Sequence, residues 1–199
     1  VGEARVLTGR IADDARRAAE IIDRIRGMVS GAAPSAGPCS ANAALRDAAA
    51  VLEAEIRREG ARVALRLAPD EPSVAADRVQ LHQVVANLAL NALQAMAGRP
   101  EPRLDLGVRR EGARIVIEVA DTGPGIAPDH LPRLFDSFFT TKSEGMGMGL
   151  AIVRGIVETF GGTVRAGNRD GGGPCFTVEL PAADTVPAPA AGGTVNTIV

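Results

Sequence analysis

Across residues 10–30, apolar positions recur at three- and four-residue steps. Ile11, Ala15, Ala18, Ile22, Ile25 and Val29 line up, with Asp and Arg between them. That spacing predicts one amphipathic helix. The stretch "GAAPSAGP" at 31–38 breaks the pattern and reads as a linker. A second helix is expected over 41–59, stopped by Gly60. Residues 61–67 (ARVALRL) alternate like a strand, and "APDEPSVAAD" reads as a loop ending in Asp77, a good N-cap. Residues 78–97 are apolar nearly all round and predict a long buried helix, ended by Gly98 and Pro100. "RLDLGVRR" and "RIVIEVA" alternate on either side of "EGA", as a hairpin does. Residues 121–148 have no clean period. A helix over 149–160 and a closing hairpin of "GTVRAGN" and "CFTVELP" follow. From Ala182 on, Ala, Pro, Gly and Thr dominate, which suits a flexible tail or linker.

The pattern thus implies an isolated helix, a linker and one compact unit. That unit is an α+β, two-layer sandwich with helices on one face of a mixed, mostly antiparallel sheet. The length of 199 residues and 46% hydrophobic content allow one good-sized core plus an arm. Aromatics are 3%, without Trp or Tyr, so Ala, Val, Leu and Ile must build that core. A net charge of -2 argues against non-specific nucleic-acid binding, which needs a basic excess. No apolar run reaches the ~18 residues of a membrane span, so this stretch is expected to make no membrane contact. Cys39 and Cys175 have no metal or redox spacing and read as buried thiols.

Three stretches carry possible chemistry. In "KSEGMGMGL", Gly145, Gly147 and Gly149 let backbone N–H groups approach a ligand, and a helix N-terminus follows at once. Lys142 can add a mobile positive charge. Together they suit a phosphate, although a flexible surface loop reads the same way. The spacing matches neither the P-loop nor the dinucleotide fingerprint. "VIEVADTGPGI" ends a strand in Asp121, whose carboxylate can accept a bond from a base amino group; an ordinary turn remains the alternative. In "LHQVVANLALNALQAM", Asn87 and Asn91 sit at i and i+4 on a buried helix. They are either satisfied core amides or donors of a carboxamide oxygen to Mg²⁺.

The ordered set "NLALNALQAM", "DTGPGI", "LFDSFFTTK" and "GMGMGL", with "IVETFGGTV" and "FTVELP" after it, resembles the ATP-binding domain of sensor histidine kinases. The "FFTTK…GMGMGL" form is most similar to the nitrogen-regulator and oxygen-sensor type. The resemblance covers about 39–181 and implies a Bergerat-type fold that binds ATP and Mg²⁺. It implies that Asp121 takes the adenine amino group, that Gly123, Gly125 and Ile126 shape the base pocket, and that Asn91 ligates Mg²⁺ with Asn87 nearby. Lys142, Gly145, Gly147, Met148, Gly149 and Leu150 would form the phosphate and lid side, and Thr177 would touch the adenine edge through water. Residues 1–30 resemble the end of the dimerisation and phosphotransfer hairpin. A homodimer through that helix, a response-regulator receiver domain as partner and a cytoplasmic location follow as expectations.

Gyrase-type and chaperone ATPases resemble the same helix but carry a Glu where Asn87 stands. An amide is no base for water, so a hydrolysing ATPase is the lesser alternative, beside a non-catalytic nucleotide-binding scaffold. The family's phosphoacceptor His with an acidic neighbour is absent. His82 lies in the asparagine-bearing helix and His130 in the lid stretch. The chain is therefore expected to bind nucleotide but not to phosphorylate itself. The site residues are expected to position and neutralise the phosphates, none acting as acid or base.

Overall fold

The computed structural model describes residues 37–142, 146–170 and 172–185. The expected helix at 10–30, most of the linker and the end of the tail lie outside the described residues. β1 (Pro38–Ser40) pairs antiparallel with β3 (Ser73–Ala75). Between them run α1 (Ala41–Val51), α2 (Glu53–Glu59) and β2 (Arg62–Arg66). Then come α3 (Arg78–Ala95), β4 (Arg103–Glu111), β5 (Arg114–Asp121), α4 (Gly149–Thr159), β6 (Thr163–Asn168) and β7 (Pro174–Pro181).

Five strands form the main sheet in the order β2-β4-β5-β7-β6. β2 runs parallel to β4 because the connection between them carries β3 and α3 across one face. The other pairs are antiparallel. Strand alternation then sorts the residues. Leu104, Leu106, Ile115, Ile117, Val119, Phe176, Val178 and Leu180 are buried in one cluster with Leu45 of α1, Leu81, Leu88 and Leu93 of α3, and Val153 and Val157 of α4. Each such side chain contributes roughly 1.5–3 kcal/mol over an exposed one. The other face carries Arg103, Asp105, Arg109, Glu118 and Glu179, so one sheet face is packed and one is polar.

The helix ends follow local chemistry. Ser40 caps α1 by accepting from the Ala43 N–H at 3.1 Å. Asp77 caps α3, taking the Val79 and Gln80 N–H groups at 2.9 and 3.0 Å. Three expectations are corrected by this arrangement. The helix expected over 41–59 is interrupted at Leu52. Leu52 leaves helical geometry there, with φ -89° and ψ 8°. The loop before Asp77 contains β3, whose partner β1 lies about 35 residues upstream, beyond the reach of any local period. The packed unit also continues past Pro181: Ala182 is fully buried and bridges to Val74.

Candidate functional site

Strand parity decides where Asp121 points. Ile115, Ile117 and Val119 face the helices, so Asp121, two positions on, does too. It is 1% exposed. Its Oδ1 accepts the Gly123 N–H at 2.7 Å. Its Oδ2 is buried and has no partner among the described residues. Burial lifts the Asp121 pKa from 3.8 to about 6, although the Gly123 N–H and the charges of Arg169, Lys142 and Arg99 all pull it down. A buried acceptor left open at that cost is suited to a donor from outside the protein.

α3 presents the two asparagines across from this strand end. The Asn87 Nδ2 is buried without a partner among the described residues. The Asn91 Oδ1 accepts from the Lys142 Nζ at 2.5 Å, and the same ammonium donates to the Gln94 Oε1 at 2.9 Å. Burial lowers the Lys142 pKa, with Asp121 opposing. A carboxamide oxygen that already holds a cation is chemically fit to hold a divalent one.

α4 begins directly after the glycine-rich stretch, at Gly149. Its N-cap is Met148, which offers no oxygen acceptor, and no side chain caps the first turn. The N–H groups of Gly149, Leu150 and Ala151 thus form an anion-favouring helix end without an internal acceptor. Gly147 has φ +66°, and a Cβ there would stand 2.5 Å from the Phe138 and Phe139 backbone. Its carbonyl accepts the Phe138 N–H at 3.0 Å. Glycine at 147 is therefore required by the loop's own packing, before any ligand is considered. Gly145 lies outside the described residues.

Asp121, Gly123, Asn91 and Lys142 are linked by short contacts or by shared charge. Gly125 and Ile126 follow directly, with Ile126 packed against the core. Thr177 is not brought to this set. It pairs with Glu118 and Arg165, on the sheet face opposite the helices, while its neighbours Phe176 and Val178 face the core. A period of two thus puts Thr177 on the face away from Asp121. His130 stacks edge-on against Phe139 at 5.5 Å, and Cys39 and Cys175 are free.

Three residues belong to the arrangement that sequence reasoning missed or left open. Gln94 shares Lys142 with Asn91. Asn168 bonds both backbone groups of Ile126, and the Arg169 Nη2 donates to the Asp121 carbonyl at 2.8 Å. The glycine-rich stretch "RDGGGP" beside them was the available signal.

The described residues thus include an open buried carboxylate oxygen at Asp121, a cation-holding amide at Asn91, the Lys142 ammonium and an uncapped helix N-terminus. Such groups suit a ligand that carries both a hydrogen-bond donor and anionic charge. Residues 76–184 match the family described as histidine kinase-, DNA gyrase B-, and HSP90-like ATPase. The C4-dicarboxylate transport sensor protein DctS of Rhodobacter capsulatus is 42% identical over 84% of this chain. The chain spans about a quarter of that relative's length, 26%. Full-length ShkA in complex with AMPPNP superposes with TM-score 0.69 and 29% identity, over 81% of this chain and 34% of that one. Histidine kinase ThkA in complex with response regulator protein TrrA gives TM-score 0.71 and 25% identity, over 86% and 49%.

Proposed function

The chain belongs to the histidine kinase-, DNA gyrase B-, and HSP90-like ATPase family, in its sensor histidine kinase branch, and on that basis we propose how its residues serve phosphotransfer. It binds ATP with Mg²⁺ and presents the γ-phosphate to a histidine outside the packed unit, for onward transfer to a response-regulator aspartate. The observation that carries this reading is the Asp121 Oδ2, buried and unpartnered beside the Gly123 turn.

Each residue then has a physical task. Asp121 accepts from the adenine amino group, and Gly123, Gly125 and Ile126 line the base. The Asn91 Oδ1 would hold Mg²⁺, which neutralises phosphate charge when bound, with Asn87 beside it. For that, Lys142 must leave Asn91 and turn its ammonium to the phosphates. The helix N-terminus that follows Met148 adds the N–H donors of Gly149 and Leu150. These groups orient and neutralise; none takes a proton from water, because an amide stands at 87. The ShkA complex with an ATP analogue and the ThkA complex with TrrA support the nucleotide and the receiver-domain partner. The homodimer through residues 10–30 is part of the same proposal. No helix of the described residues is long and apolar enough to cross a membrane.

Calorimetric titration of ADP into the 199-residue chain, with and without Mg²⁺, tests the site. Micromolar-range binding that tightens with Mg²⁺ is expected. Tightening should vanish in Asn91→Ala. No binding in either condition would refute the nucleotide site.

A further inference from the structure

We propose that Asn168 is a positioning residue for the base end of this nucleotide site, acting as a clamp on the turn that follows Asp121. The Asn168 Oδ1 accepts the Ile126 N–H at 2.8 Å, and its Nδ2 donates to the Ile126 carbonyl at 2.8 Å. A carboxamide matches a peptide unit donor for acceptor, so both backbone groups of Ile126 are held at once. Only one orientation of the amide satisfies both. The contact spans 42 residues and ties the end of β6 to the loop after β5.

The next residue grips the other end of the same turn. The Arg169 Nη2 donates to the Asp121 carbonyl at 2.8 Å, and its Nη1 lies 3.5 Å from the Asp105 carboxylate. Asn168 and Arg169 therefore hold residues 126 and 121, the two ends of the segment that carries the open Oδ2 and the glycine turn. The fit is tight on both sides. A Cβ at Gly125 would come 3.1 Å from the Asn168 Oδ1, and a Cβ at Gly173 would come 1.9 Å from the Asp121 carbonyl oxygen. A turn rich in glycine would otherwise sample many conformers, and ordering it on binding would cost affinity. The clamp removes that cost before the ligand arrives.

This inference rests on the nucleotide reading above, and it makes a distinct prediction. A clamp on the base end should affect adenosine and ADP equally, and should be indifferent to Mg²⁺. Water competes for bonds at the exposed Asn168, so Asn168→Ala should weaken both ligands about fivefold. Exchange of the Ile126 amide hydrogen, read by NMR, should accelerate in the same variant. Asn168→Asp keeps the acceptor for the Ile126 N–H and loses the donor. It should fall between wild type and Asn168→Ala, and it carries the test if the alanine variant does not fold. Unchanged adenosine affinity with a faster Ile126 exchange would overturn the clamp, as would a loss confined to ADP. No adenosine or ADP binding by the wild-type chain would instead overturn the nucleotide reading.

Discussion

Replacing Asp121 by Asn should strengthen the fold at neutral pH while weakening the site. The Asp121 carboxyl sits at about 6 in the folded chain against 3.8 ordinarily, with burial as the first cause. Between those values the folded chain keeps a proton that the unfolded chain has released. Stability therefore falls as pH rises through that window and levels off above it. A rise of that size corresponds to about 3 kcal/mol over the whole window, of which about 2.4 kcal/mol is lost between pH 4 and pH 7. The Asp121→Asn side chain has no charge to bury and cannot show this loss. Its Oδ1 can still accept the Gly123 N–H, but an Nδ2 in place of the open Oδ2 is an unpaired buried donor, costing roughly 1–3 kcal/mol at every pH. The difference in unfolding free energy between Asp121→Asn and wild type should thus shift by about 2.4 kcal/mol in the variant's favour from pH 4 to pH 7. Denaturant unfolding at a series of pH values measures it, and other titrating groups cancel in the difference. Binding should move the other way, because the charged acceptor is lost: ADP affinity falls at least tenfold at pH 8, about 1.4 kcal/mol. Wild-type affinity should itself weaken as pH drops through about 6. A stability difference that is flat with pH, or equal ADP affinity in the two proteins, would refute a buried carboxylate waiting for a donor.

Two further outcomes follow from the geometry. Lys142→Ala removes the ammonium now held by Asn91 and Gln94. ADP affinity should fall about tenfold while adenosine affinity stays unchanged, and a parallel loss of both would place the lysine elsewhere. Gly173→Ala sets a Cβ against the Asp121 carbonyl at φ +80°, where the backbone rather than a side chain would have to yield. Thermal unfolding should show a loss of at least about 2 kcal/mol, and wild-type stability would mean the turn is free to move.

Most of the candidate site was legible without the fold because its groups lie close together in sequence. Asp121 and its glycine turn lie within five residues, Asn87 and Asn91 within one helical turn, and Lys142 close to the glycines before α4. The helix caps were equally local: Asp77 needed only its own next N–H groups, at Val79 and Gln80. Strand alternation also placed the core face, since a period of two is a property of each strand alone.

Other features depend on partners distant along the chain. The β1–β3 pair, the parallel β2–β4 pair and the Asn168 clamp on Ile126 each join segments tens of residues apart. Even the lysine's place was out of reach. Its charge could be read from the sequence, but not that it would lie on the Asn91 oxygen 51 residues away. Thr177 shows the same limit: its type suited the site, and one step of strand register sent it to the opposite face. Residue order alone establishes which groups can act and how each segment alternates or coils. Which of those groups meet is set by the order of strands in the sheet, because contact between remote segments depends on their joint packing and not on either segment's own pattern.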